Sequence, residues 1–174
     1  NFQILDADYV TEGTVPVVRL FGRAEDGKST CCYVPGFEPY FYVNASGELD
    51  LICKLIKERF DVVKNVEIVQ RFEPVGYQKS KKPMIQVTTY EPRQVPEIRD
   101  DILQIPGVIE VYETDILFRN RFLIDRGLHG MGWVSVSPSQ EAHPGGKIYC
   151  DTVCSDRQPV EVDKLPNAPL KFLS

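Results

Sequence analysis

Histidine, tryptophan and methionine are scarce in this chain: two His, one Trp and two Met among 174 residues. With two His, both among Gly and Pro, a Ser-His-Asp arrangement has almost nothing to draw on, and exposed loop histidines are the plain reading of His129 and His143. No glycine-rich phosphate loop, H-E-x-x-H or G-x-S-x-G motif occurs. No apolar run approaches the ~18 residues of a membrane span, and no basic stretch leads into an apolar one at the start. Positive charge is in deficit: 20 Lys and Arg against 25 Asp and Glu give −5. The pI near 5.1 disfavours a free-standing nonspecific nucleic-acid binder, which usually lies above pI ~9. It leaves room for a local site on a larger protein. The 43% apolar content is enough for a folded core. The length suits one domain, or one domain with an appendage. The first residue is Asn1, so a trimmed chain is expected.

Five cysteines, an odd number in a chain too long to need staples, fit a reducing compartment. Cys31 and Cys32 are neighbours in a strand-like run and so point to opposite faces. Cys53 falls on the apolar side of a helix as a small core residue. Cys150 and Cys154 stand near His143, but a zinc site needs about four ligands. A disulfide or two plain structural thiols is the simpler expectation.

The periodicity predicts strands over 2–10, 15–23 and 29–35, with Asp26-Gly27 as a hairpin signal. These form a three-strand antiparallel meander. A second pattern follows over 37–113. Residues 37–43 are an aromatic strand. Ser46 is a plausible N-cap for a helix carrying Leu49, Ile52, Leu55, Ile56 and Phe60 at helical spacing. Strands over 62–72 and 84–89 flank the polar loop Lys79-Ser80-Lys81-Lys82-Pro83. Pro96 suits the first turn of a helix keeping Val95, Ile98, Ile102 and Ile105 in phase, and 108–112 is a last strand. The β-α-β-β-α-β order is the split-βαβ, ferredoxin-like pattern. Residues 116–126 mix apolar and basic side chains and read as a short helix. Small strands are expected at 132–136 and 147–153, with a loop between, and 169–174 looks like the start of a buried strand. The fold class is α+β: an antiparallel meander (1–36), a ferredoxin-like unit with the following basic segment (37–128), and a β-rich extension (129–174).

No active site is expected within the chain. Asp6 and Asp8 share a strand face, as paired carboxylates of metal-dependent phosphoryl chemistry do, but their place beside a turn fits surface carboxylates. A split-βαβ sheet can bind RNA by base stacking. The basic-Gly-aromatic-small-aromatic signature of that use is missing from 62–72 and 108–112. A small-ligand regulatory domain of the same topology stays open.

Four segments in order carry a resemblance. They are Ile4-Leu5-Asp6-Ala7-Asp8-Tyr9-Val10; Gly36-Phe37-Glu38-Pro39-Tyr40-Phe41-Tyr42-Val43; Glu91-Pro92-Arg93-Gln94-Val95-Pro96-Glu97-Ile98-Arg99; and the stretch from Tyr112 through Ile116-Leu117-Phe118-Arg119-Asn120-Arg121 to Asp125. Together they resemble the N-terminal domain of family B replicative DNA polymerases, most closely archaeal ones. The tail Ala168-Pro169-Leu170-Lys171-Phe172-Leu173-Ser174 is similar to the strand that leads into the first exonuclease motif of that family.

The resemblance implies a non-catalytic template-binding domain with a pocket that captures uracil, and other deaminated bases, ahead of the polymerase site. The residues it assigns are Tyr9, Pro39, Tyr40, Pro92, Val95, Ile116, Phe118 and Arg121, with Arg119 beside them. An extruded base needs a snug apolar slot and hydrogen bonds to its Watson–Crick edge. Uracil lacks only the C5 methyl of thymine. A β-branched Val95 stiffened by Pro92 and Pro96 would exclude that methyl. Arg119, Arg121 and Arg126 against Asp125 make residues 116–128 locally basic.

Neither catalytic nor metal-binding residues are expected in this segment. The resemblance gives the parent chain polymerase and 3′–5′ exonuclease activities with Mg2+. It implies as partners single-stranded template, the remaining domains of the same chain and a sliding clamp, with no membrane. The location would be cytoplasmic, or nuclear in a eukaryote. The insertion over 131–168 is shared with delta-type polymerases, which are not expected to halt at uracil. The alternative is therefore the same domain as scaffold with a closed pocket.

Overall fold

The computed structural model describes residues 1–74, 78–137, 148–163 and 166–168. The chain divides into two compact units, Asn1–Phe37 with Leu117–Ser174, and Glu38–Ile116. Among the described residues there are ten strands and three helices in two sheets, an α+β fold.

In the first unit, β1 (Phe2–Glu12), β2 (Val15–Ala24) and β3 (Ser29–Pro35) form the expected meander. Its hairpin turn runs through Gly27, which has a positive φ of 78°. The sheet is wider than the meander. Its order is β10-β8-β1-β2-β3-β9, adding β8 (Trp133–Ser135), β9 (Thr152–Ser155) and β10 (Val160–Val162). Strand β9 runs parallel to β3 and aligns Cys154 with Cys32. The buried amide of Gln3 ties the extension to β1. Its Nε2 donates to the Met131 carbonyl at 2.7 Å and to Asn167 Oδ1 at 2.9 Å, and its Oε1 accepts from the Ala168 N–H at 3.0 Å. A buried amide left without partners is costly; these three bonds explain why a glutamine is tolerated there.

A bulge sets which side chains of β1 face inward. The register shifts between Ile4 and Asp6, leaving Leu5 as the extra residue. Two residues opposing one on the partner strand re-aim everything that follows. Phe2, Ile4 and Ala7 therefore share one core, with Ala7 three residues beyond Ile4 across the bulge instead of two. Tyr9 lies on the Ala7 face. Asp6 and Asp8 share the opposite face, as expected. Gly22 sits opposite Ile4, where a Cβ would penetrate the Gln3 carbonyl oxygen and reach 2.5 Å from the Phe2 ring. Only glycine permits that approach.

Helix α3 (Phe118–Arg126) covers this face of the sheet. It starts after Leu117 and ends at Gly127, whose φ of 63° is the left-handed C-terminal cap. Phe118 and Phe122 join Phe2, Ile4, Val18, Leu20 and Val34 in one core. Sequence order alone groups this basic segment with the ferredoxin-like unit; in the structure its aromatic stripe packs with β1–β3. The opposite face of the sheet holds a smaller cluster of Val17, Cys31 and Tyr33 with Val10, Phe21, Ile148 and Cys150.

The second unit is β4 (Tyr40–Ala45), α1 (Leu49–Arg59), β5 (Val63–Arg71), β6 (Lys82–Thr89), α2 (Gln94–Ile102) and β7 (Val108–Tyr112). The antiparallel order β5-β6-β4-β7 is that of the split βαβ. Alternation puts Phe41 and Val43 of β4, and Ile85 and Val87 of β6, on the face covered by the helices, with Ile52, Ile56, Val95, Ile98 and Ile102. Two details differ from expectation. Glu48 occupies the N-cap position of α1, without a side-chain bond. Ser46 instead donates its N–H to the Gly107 carbonyl at 2.8 Å. Leu55 is 40% exposed, so only Ile52 and Ile56 are buried on α1. The tail strand expected at 169–174, His143 and most of the loop before β9 lie outside the described residues.

Candidate nucleic-acid interface

The residues named for the pocket fall on both units. In the first unit, Tyr9 leaves β1 on the side of α3 and remains 38% exposed. Its ring meets Phe118 edge to face, with centroids 5.2 Å apart and planes at 77°. Phe118 and Phe122 each lie 5.2 Å from Phe37. Edge-to-face packing of this kind fixes ring orientation as well as burying area. Phe37 is not among the pocket residues assigned from the sequence. Its signal is present in the run Gly36-Phe37-Glu38-Pro39-Tyr40, but an aromatic beginning a strand reads equally as core.

Two arginines lie on the same helix as Phe118. Arg119 is exposed, and its Nη1 donates to the Ala7 carbonyl at 3.3 Å. Arg121 is only 8% exposed, which is unusual for a cation and requires partners. On the other face of β1 and β2, Arg19 grips Asp8 with two bonds, Nε to Oδ1 at 2.7 Å and Nη2 to Oδ2 at 2.5 Å. That bidentate pair raises the Arg19 pKa above its ordinary value, with burial opposing. It turns Asp8 into a strand-locking residue instead of half of a metal pair. Among the described residues no group of three or more His, Cys, Asp or Glu could hold a metal ion.

In the second unit, Pro39 is buried and its carbonyl accepts from Thr89 N–H at 3.0 Å. Tyr40 is half-buried and pairs with Thr88 across the strands. A compact turn follows β6. Thr89 Oγ1 donates to the Glu91 carbonyl at 3.0 Å, and Glu91 N–H donates to Gln94 Oε1 at 2.8 Å. This is the reach-back of a capping arrangement. The Val95 N–H donates to the Pro92 carbonyl at 3.3 Å. Val95 is 5% exposed and shares the helix-packed core with Phe41, Val87 and Ile98. A side chain wedged in a core at helix spacing has little freedom to yield. Ile116, half-buried, closes the unit.

The thiols are all free. Cys31 and Cys32 belong to the clusters on opposite sheet faces, as expected. Burial pushes the Cys31 thiol up to about 12. Cys32 and Cys154 hydrogen-bond to each other, and that bond, with burial, raises Cys32.

No protein-family model matches the chain. The chain is 33% identical over 152 residues to DNA polymerase 2 of Aeropyrum pernix, covering 84% of this chain and 18% of that one. It is 40% identical over 129 residues to the DNA polymerase of Thermococcus kodakarensis, covering 72% of this chain and 8% of that one. The family B DNA polymerase structure from Pyrobaculum calidifontis superposes with a TM-score of 0.79 at 29% identity, over 97% of this chain and 21% of that one. The chain belongs to the family B DNA polymerases. It spans about a fifth or less of the length of the polymerases to which it is similar, and it corresponds to their N-terminal segment. Among the described residues no helix is long and apolar enough to cross a membrane.

Proposed function

We propose that this family B segment is a non-catalytic reader of single-stranded template that captures uracil before the polymerase site meets it. The observation that carries the reading is the Glu91–Val95 turn. Its three hydrogen bonds fix the backbone at Pro92 and Val95 after β6, which supports the reading of Val95 as a rigid β-branched wall. Rigidity is what discrimination needs, since one methyl in a yielding pocket is worth only ~1–3 kcal/mol. Tyr9 held against Phe118, and the cations Arg119 and Arg121, supply a stacking surface and local positive charge in the first unit. The parent chain would be a DNA-directed DNA polymerase with 3′–5′ exonuclease activity, using Mg2+ in those other domains and working inside the cell with a sliding clamp.

The test is fluorescence anisotropy of the chain with a single-stranded oligonucleotide carrying one uracil, against its thymine twin. The uracil strand should bind about tenfold or more tightly, at the lower end of what exclusion of one methyl supplies. Val95→Gln should erase the preference. Because Val95 is buried, the change should also cost stability, about 1–3 kcal/mol, visible as a lower Tm. Equal affinity of the unmodified chain for both strands would leave only the scaffold reading.

A further inference from the structure

The hairpin joining β5 to β6 is an island of positive charge in an acidic chain. Arg71, Lys79, Lys81 and Lys82 stand against Glu73 alone, a net of +3 where the whole chain carries −5. All four cations are exposed. Phe72 at the end of β5 is 53% exposed, with Lys81 Nζ 5.7 Å from its ring centroid. An apolar ring half in solvent among lysines belongs to no core cluster of the described residues. Lys82 bonds Glu73 at 2.7 Å, which ties the start of β6 to the residues just after β5.

The charge also continues along the sheet. Arg71 and Lys82 are register partners and share the face opposite the helices. The Arg71 guanidinium lies 5.3 Å from the Tyr42 ring, and Tyr42 lies 5.6 Å from Tyr40. Tyr40, Tyr42, Arg71 and Lys82 share one face of this unit; Tyr42 is buried beneath the Arg71 guanidinium, and Arg71 and Lys82 are the exposed members. Cations spaced along a track and an exposed ring at its end are what single-stranded nucleic acid requires: charge for successive phosphates, and a π-face on which any base can stack.

We infer that the basic cluster where β5 ends and β6 begins is a second binding site for single-stranded DNA, holding the strand that flanks the captured base with Arg71, Lys79, Lys81 and Lys82 on phosphates and Phe72 under a base. The inference rests on the template-reading role, but it concerns binding that is indifferent to uracil. A duplex offers no unstacked base to Phe72, so the single strand is the partner that uses both halves of the patch.

The experiment uses a fluorescein-labelled, uracil-free oligothymidylate of twenty nucleotides with the chain across a salt series. Lys79→Glu combined with Lys81→Glu should weaken binding at least tenfold at low salt. It should also flatten the dependence of log affinity on log salt by roughly 1.4, about 0.7 for each phosphate no longer neutralised. Lys79→Arg with Lys81→Arg should retain both the affinity and the slope of the unmodified chain. Phe72→Ala should weaken binding about fivefold or more, the lower end for one stacked base, and should leave the salt slope alone. Circular dichroism confirms that each variant folds. Unchanged affinity in the charge-reversal variant overturns the proposal. So does an unaffected Phe72→Ala, or equal competition by duplex DNA and heparin, which would mark a general polyanion patch. The ratio of uracil to thymine affinity should be the same in hairpin variants and the unmodified chain. Failure of the uracil site and failure of the hairpin site are therefore read on separate measurements.

Discussion

The two sheets solve the burial problem differently. The four-stranded sheet places Phe41, Val43, Ile85 and Val87 toward α1 and α2, while Tyr40, Tyr42, Gln86 and Thr88 alternate to the other face. One face is an aliphatic core; the other is polar and aromatic, with Tyr40 and Gln86 half-buried and Tyr42 and Thr88 buried. The six-stranded sheet has a single helix, α3, on one face and a second cluster built by Ile148 and Cys150 of the extension on the other. Its strands are buried on both sides in the middle, as the unbroken burial of Thr30 to Val34 shows. A two-faced core tolerates less change than a one-faced one, because every residue has a packing partner. The meander unit thus specifies shape through close packing on both faces, and the ferredoxin-like unit sets an aliphatic face against a polar and aromatic one.

This contrast can be broken at Gly22. Gly22→Ala forces a Cβ into the Gln3 carbonyl and the Phe2 ring, and no rotamer relieves a backbone clash. The expected loss is about 4 kcal/mol or more, at the exceptional end for one substitution, measured by urea unfolding. An equivalent stability to the unmodified chain would mean that β1 shifts freely and the two-faced core is not tight. Next in size is a pair of deletions. Phe122→Ala removes a fully buried ring from the core beneath α3 and should cost about 3–5 kcal/mol. Ile56→Ala, fully buried on α1, should cost about 2–5 kcal/mol. Hydrogen exchange should assign the first loss to amides of β1–β3 and the second to amides of β4 and β6. The smallest effect needs no mutation. Cys53 and Cys150 are partly exposed, and Cys31, Cys32 and Cys154 are buried. A thiol reagent at neutral pH should label two cysteines in the native chain and all five in urea, with Cys31 held back further by its pKa of about 12.

Much of the fold is legible in the residues alone. The alternation of β1–β3, the helical spacing of Ile52, Ile56, Ile98 and Ile102, and the β-α-β-β-α-β order follow from local hydrophobic period. The segments around Tyr9, Tyr40, Val95 and Phe118 point to polymerases, a family that the relatives bear out. The cap of α1 is not legible, because the contact that fixes Ser46 ahead of the helix is long-range: its N–H closes onto the carbonyl of Gly107, far along the chain. The role of Asp8 is invisible because nothing local distinguishes a free surface carboxylate from one clamped by Arg19 of the next strand.

The sequence by itself therefore determined the elements, their order and the chemical character of each segment, because periodicity and turn residues act over a few neighbours. Tertiary structure alone decided three things: the bulge at Leu5 that turns Tyr9 toward Phe118, the packing of α3 on the meander, and the parallel seat of β9 beside β3. Each depends on partners distant in the chain, or on a register that only a facing strand can set. A four-residue strand such as β9 carries too few side chains to name its neighbour. It finds that place when closing the long loop is offset by the burial of Cys154 and Ser155 against a sheet already formed.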